Sequence, residues 1–145
     1  MTLARLIAAG FGTGFAPLAA GTIASAAAVP IGVLLLMVSP WLLLAAAVLA
    51  VCGGVWAVQA ARVVGDPGWV VIDEFAGQWI TMLGLAYITP AGLVAAFVLF
   101  RFFDVTKLGP VGWADRQHGT FGIMADDIIA GVIAAVILHA VQLWL

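Results

Sequence analysis

Apolar residues run in long blocks along this chain, and polar residues collect in short clusters between them. Residues 23–38 form an apolar block that contains Pro30, and Ser39-Pro40 then signals a turn. From Trp41 to Ala61 only Gln59 is strongly polar. That run is 21 residues long, and at about 1.5 Å per residue it predicts a helix that crosses a bilayer core. A polar loop, "RVVGDPG", follows at 62–68. The pattern predicts a helix from near Trp69 to about Ile88, a break at Thr89-Pro90, and a further apolar helix over Ala91–Phe103. "DVTKLGPVGWADRQHGTFG" is the longest polar stretch, and the last helix is expected to start near Met124. The glycine-rich segment 10–22 predicts a loop or a broken helix. Blocks 23–38 and 91–103 are short for a span, which implies tilt, incomplete crossing or burial by neighbours. With no internal repeat and no linker, residues 1–145 are expected to form one domain.

Composition turns these blocks into a membrane protein. Charged residues make up 8% of the chain, about a third of the share in soluble domains. Hydrophobic residues make up 66%, and the mean hydropathy is +1.24. The expected fold is all-α: a compact helical integral membrane protein with about four to five apolar helices. A net charge of -2 with no basic stripe argues against nucleic-acid binding. The single cysteine, Cys52, lies in an apolar run and is expected to be a small buried hydrophobe. Glycines and Pro17 break up the N-terminal apolar stretch, so it reads as part of the mature protein rather than a signal peptide.

The charges give the arrangement a direction. If the turns at 39–40 and 89–90 lie on one side, then Arg5, Arg62, Arg101, Lys107 and Arg116 all fall on the other. The seven acids fall there too. The tendency of basic residues to stay inside makes that side cytoplasmic. Trp41, Trp69, Trp113 and Trp144 sit near predicted segment ends, as interface anchors do.

Three clusters on that side carry candidate chemistry. Asp73 and Glu74 open one apolar helix, with Gly77 one turn past Asp73. Arg101, Asp104 and Lys107 are spaced by three. Asp126 and Asp127 are expected in the first turn of the last helix, with Gly131 one turn past Asp127. A glycine one turn from a carboxylate lets a helix or ligand approach that face. Two acidic pairs on neighbouring helix starts repel and call for a cation, and an all-oxygen donor set favours Mg²⁺ or Mn²⁺ over zinc. Arg101 and Lys107 beside that cation would complete a clamp for a phosphate.

Each cluster alone has a plainer reading. Acids in a first turn are stabilised by the helix dipole, typically by about 0.3–1 kcal/mol. An Arg-x-x-Asp pair is commonly an ion pair within one helix. The weight lies in the combination, because charges at membrane depth are costly and tend to be functional. His118 falls in a polar loop and reads as solvated, or as a proton shuttle; His139 is assigned no chemistry. Thr13, Thr22 and Ser25 offer hydroxyls to a phosphate or headgroup, or simply mark packing bends. No Walker lysine follows the glycines, and the cysteine, histidine and Asp-x-Asp signatures of several phosphatase classes are missing.

Four of these blocks, in order, resemble one family. "GFGTGFAPLAAGTIAS", "IDEFAGQWITML", "FRFFDVTKLGPVGWADR" and "GIMADDIIAGVIAA" look like the successive blocks of the bacterial phosphatidylglycerophosphatase A family. The resemblance implies a multi-pass phosphatase of the inner (cytoplasmic) membrane that depends on Mg²⁺. It implies that the substrate is a phospholipid in the bilayer, phosphatidylglycerophosphate, dephosphorylated to phosphatidylglycerol. Its blocks fall on Asp73, Glu74 and Gly77; on Arg101, Asp104, Lys107 and Pro110; and on Asp126, Asp127 and Gly131. The family pattern differs here at Ala20, Ala24 and Leu108. On this reading Asp73, Glu74, Asp126 and Asp127 hold metal, Asp104 completes the shell or acts as base, and Arg101 and Lys107 bind phosphate. The rival readings are a small ion-transporting membrane protein that uses the acids as an ion site, and a non-catalytic assembly subunit.

Overall fold

In the computed structural model, which describes all 145 residues, the chain is entirely helical with no strand. Seven α-helices follow one another: α1 (Leu3–Ala8), α2 (Ala20–Val38), α3 (Pro40–Ala60), α4 (Ile72–Met82), α5 (Pro90–Thr106), α6 (Pro110–Asp115) and α7 (Gly119–Trp144). A 3₁₀ segment, Gly10–Phe15, lies between α1 and α2. Five of these are the expected apolar helices: α2, α3, α4, α5 and α7. Among them α2, α3 and α7, with 19, 21 and 26 residues, are long and apolar enough to cross a membrane.

The Ser-Pro and Thr-Pro pairs each start a helix, and Ser39 also ends α2. The Ser39 hydroxyl accepts from the Trp41 N–H at 3.1 Å and Pro40 takes the first position of α3. Thr89 does the same for α5 through the Gly92 N–H at 3.0 Å, with Pro90 first. A proline in the first turn forfeits no helical hydrogen bond, so the turn between α2 and α3 needs only Ser39.

The largest departure from expectation is α4. Instead of running from Trp69 to Ile88, it is 11 residues long, about 16 Å against a hydrocarbon core of about 30 Å. It is nevertheless the centre of the bundle. Nine of its residues are buried, and α2, α3, α5 and α7 all pack on it. Sheathed by longer helices, it need not cross the bilayer. Close approach comes from small residues, among them Ala24 and Ala28 on α2, Ala47 on α3 and Ala76 on α4. The Trp79 indole donates to the Ala28 carbonyl at 2.9 Å, so its polar atom is satisfied in the core.

Beyond α4 the chain is irregular until Thr89, and α7 supplies the missing partners. The Gln142 side chain accepts from the Ala86 and Tyr87 N–H groups at 2.7 and 3.3 Å and donates to the Tyr87 carbonyl at 3.0 Å. The His139 Nδ1 lies 3.1 Å from the Gly84 carbonyl. These are the polar residues of the apolar tail, and their work is to satisfy the broken backbone that follows α4. The same contacts set the C-terminal end of α7 beside the 83–89 turn, opposite the charged end, as the charge pattern predicts.

Three further expectations are corrected. Helix α7 begins at Gly119 rather than near Met124, so Asp126 and Asp127 lie about two turns inside it, not in its first turn. The first-turn dipole account therefore fails for them, and Asp126 is offset instead by the Lys107 ammonium. Within the long polar stretch, Pro110 starts the short helix α6, which packs on α7. Cys52 is exposed on the outer surface of α3 rather than buried in the core.

Candidate active site

The charged clusters converge on a cavity of about 220 Å³ at the end of the bundle. Its walls hold Asp66, Asp73, Glu74, Asp104, Asp126 and Asp127 together with Arg101 and Lys107. All seven residues expected from sequence are there, joined by Asp66 from the 61–71 loop. Six carboxylates face two cations, a formal excess of four negative charges.

Each side chain has a structural reason for its place. Asp73 and Glu74 occupy the first turn of α4, and the Asp73 Oδ1 accepts from the Glu74 N–H at 2.9 Å. In α7 the Asp126 Oδ1 accepts from the Asp127 N–H, also at 2.9 Å. In both pairs the first carboxylate folds onto the backbone and leaves the second to reach inward. The helices that carry the pairs touch one turn on. A Cβ on Gly131 would lie 2.6 Å from the Gly77 carbonyl oxygen, and one on Gly77 would lie 2.8 Å from the Asp127 carbonyl oxygen and collide with the Phe100 ring. The Thr81 hydroxyl sits 2.9 Å from the Gly77 carbonyl and 3.3 Å from that of Gly131, across the same crossing. The glycines of the two acidic blocks thus serve helix contact, which sets the spacing of the carboxylates above them.

The end of α5 supplies the cations. Arg101 Nη1 donates to Glu74 Oε2 at 2.5 Å and to Asp104 Oδ2. Its Nε and Nη2 bond to no protein group, so one edge of the guanidinium is free. Lys107 closes α5 in a left-handed conformation, with φ 53°. Its ammonium donates to Asp104 Oδ1 at 2.9 Å and Asp126 Oδ2 at 2.6 Å, and stands 3.7 Å from Asp115 Oδ1. Burial works against that charge, but the bonds to Asp126 and Asp104 outweigh it and push the Lys107 pKa above its ordinary value.

The tightest group of acids takes one residue from each of three helices. Carboxylate oxygens of Glu74, Asp104 and Asp127 lie within 4.8 Å of one another. Asp104 thereby joins Glu74 and Asp127, while Asp126 is held by Lys107 and Asp73 lines the same cavity. The Asp127 Oδ2 is buried and has no protein partner. A buried carboxylate oxygen left without a donor is costly, and in an all-oxygen setting a divalent cation satisfies it. The residues present therefore fit a hard cation such as Mg²⁺.

Two residues beside the site were weakly legible or missed. Ser25, fully buried on α2, places its hydroxyl 3.1 Å from Glu74 Oε2 and 3.0 Å from the Gly21 carbonyl. Gly21 itself makes room for Glu74, since a Cβ there would land on Oε1. Their spacing of four along "GTIAS" was the available signal, a glycine and a hydroxyl on one helical face. Thr13 instead bonds the Gly10 carbonyl at 2.9 Å, and Thr22 is exposed. His118 is exposed at the start of α7.

Fold and site together define a helical membrane protein with a polyacidic pocket, whose carboxylates fit a cation, at one end of its bundle. Comparison with known proteins gives the particular family. A sequence model of phosphatidylglycerophosphatase A matches residues 6–142. The phosphatidylglycerophosphatase A of Escherichia coli strain K12 is 44% identical over 140 residues, which cover 93% of this chain and 81% of that one. That of Haemophilus influenzae is 35% identical, over 97% of this chain and 90% of its own. A Bacteroides thetaiotaomicron protein, provisionally named a phosphatidylinositol-3-phosphatase, is also 35% identical, over 96% and 92%. No solved structure matches. The chain belongs to the phosphatidylglycerophosphatase A family, and is an enzyme of the phosphoric monoester hydrolase class.

Proposed function

We propose that this enzyme hydrolyses the terminal phosphate of phosphatidylglycerophosphate, with Mg²⁺, at the cytoplasmic interface of a bacterial inner membrane, yielding phosphatidylglycerol. The observation that carries the reading is the triad Glu74, Asp104 and Asp127 with the unpartnered Asp127 Oδ2, set beside the free edge of Arg101. Glu74, Asp104 and Asp127 would hold Mg²⁺, with Asp73 and Asp126 as the remaining acidic wall. When bound, the ion supplies Lewis-acid polarisation of the phosphoryl group and makes water a stronger nucleophile at neutral pH.

The chain's own residues do the rest. Arg101 offers the phosphate its two free donors in a planar fork and offsets the charge that develops on the transferring group. Lys107 has two of its three donors committed, so its part is to bridge Asp104 and Asp126 and add positive charge. Asp73 has one oxygen on the Glu74 N–H and the other without a protein donor, which suits it to take the proton of the attacking water. Water oxygen bonds to phosphorus, the bond from phosphorus to the glycerol oxygen breaks, and that oxygen takes a proton from solvent to leave as the lipid alcohol, while Asp73 returns the proton it received to solvent. The acyl chains stay in the bilayer throughout. Cytoplasmic orientation rests on the side where all the Lys and Arg residues gather. An ion path would need polar groups through the bundle, whereas His139 and Gln142 in the far half are bonded to backbone.

The test is release of inorganic phosphate by the purified protein from phosphatidylglycerophosphate and from phosphatidylinositol 3-phosphate, with Mg²⁺ and with chelator. Mg²⁺-dependent release favouring the first lipid is expected, and Asp127→Asn should abolish it. Undiminished release in chelator, or preference for the inositol lipid, would overturn the assignment.

A further inference from the structure

A groove of about 250 Å³ runs between α2 and α5, lined by Ala26, Val29, Leu93, Val94 and Phe97, all of them apolar. Resting on the lipid-phosphatase reading above, we infer that this groove holds an acyl chain of the substrate, and that the lipid enters the site sideways between these two helices.

The argument begins with where the helices lead. Gly21 and Ser25 of α2 touch Glu74, and Arg101 of α5 bonds it. The guanidinium of Arg101 is also close to α2: a Cβ on Gly21 would lie 3.4 Å from Nη1. The phosphate-binding cation is therefore the upper end of the α2–α5 seam. Below it, Phe97, Val94 and Leu93 are four, seven and eight residues before Arg101, and Ala26 and Val29 are five and eight after Gly21. Helical rise puts the lining about 6–12 Å below the site on both helices. The polar layer of one leaflet is about 5–8 Å thick, so a lipid whose phosphate sits at Arg101 presents its acyl carbons at the groove's depth.

Exposure favours the same seam. Glu74 and Arg101 keep 12% and 18% of their side chains accessible, whereas Asp127 on the α4–α7 side keeps 2% of its surface. A larger groove, about 700 Å³, lies between α4 and α7. It is cut off from the carboxylates by the Gly77–Gly131 contact and the Thr81 hydroxyl that ties the crossing together. Only the α2–α5 groove combines an apolar wall with a cation at its head.

Two measurements on the full-length protein in mixed micelles test this. Val94→Trp and Ala26→Trp should lower kcat/KM for long-chain phosphatidylglycerophosphate about tenfold while leaving that for its deacylated analogue, glycerophosphoglycerophosphate, within about twofold. Val132→Trp, in the α4–α7 groove, should leave both within about twofold. In the unsubstituted protein, a photoactivatable group on the substrate's acyl chain should label peptides holding 26–29 and 93–97. Labelling confined to the α4–α7 groove, or unchanged long-chain kinetics in both α2–α5 variants, would overturn the inference. Hydrolysis by the unsubstituted protein is read separately, so the groove can fail while the phosphatase assignment stands.

Discussion

Gly77 and Gly131 meet backbone to backbone, each four residues past an acid of the site, Asp73 and Asp127. The distance between the two acidic helices is thus set where neither has a side chain. Gly131→Ala forces a Cβ to within 2.6 Å of the Gly77 carbonyl oxygen, which cannot swing away as a side chain end could. Such overpacking costs about 1–3 kcal/mol. The expected outcome is a lower Tm in detergent together with lost activity, because the carboxylates separate with the helices.

Gly21→Ala separates stability from activity. Alanine is a better helix former than glycine by about 1 kcal/mol, and the atom it meets is the mobile end of Glu74. Glu74 yields, and its hydrogen bonds from Ser25 and Arg101 are lost with it. Tm should be unchanged or higher, while phosphate release falls about tenfold or more and needs more Mg²⁺. A variant with parental kinetics would remove Glu74 from the proposed metal-binding triad.

Lys107 links the site to alkaline pH. Its pKa is raised in the folded protein above the ordinary 10.5. Its contribution to stability is therefore complete below pH 10.5 and declines as pH rises from there through the folded value. Lys107→Gln should lower Tm at neutral pH and flatten the fall in Tm between neutral and strongly alkaline buffer. Thermal unfolding of both proteins across that range measures the difference.

Gln78 is fully buried one turn past Glu74, and neither atom of its amide has a partner. An unsatisfied buried polar group costs about 1–3 kcal/mol, so Gln78→Met, similar in shape, should raise Tm. A fall in Tm would instead reveal a water or other partner bonded to that amide.

How much of this was legible follows from the kind of signal each residue gives. Asp73, Glu74, Arg101, Asp104, Lys107, Asp126 and Asp127 stand out because charge is scarce in an apolar chain, and the cavity holds every one of them. The bundle was readable from block lengths, and the turns at Ser39 and Thr89 from their prolines. Helix α4 was not, because "LGLAYI" after Met82 is as apolar as a helix and nothing local marks its end. The partners that let the backbone break there, His139 and Gln142, lie more than 50 residues away. The early start of α7 was hidden in the same way: "GTFGI" carries glycines that suggest a loop, yet Gly122 is used to pass the Gln117 carbonyl. Nor could spacing reveal that Asp104 would join Glu74 and Asp127 while Asp126 went to Lys107, since that division depends on how three helices rotate against one another.

The bonds from His139 and Gln142 to residues 84–87 also bear on how the protein is made. Until α7 is synthesised, the Gly84 carbonyl and the Ala86 and Tyr87 N–H groups lack the side chains that bond them. The half-length helix, which packs on α7, therefore cannot be fully buried until the last segment of the chain is present. That segment also carries Asp126 and Asp127. Burial of α4 and assembly of the charged pocket become a single late event, so a chain interrupted before α7 holds neither a settled core nor a premature catalyst.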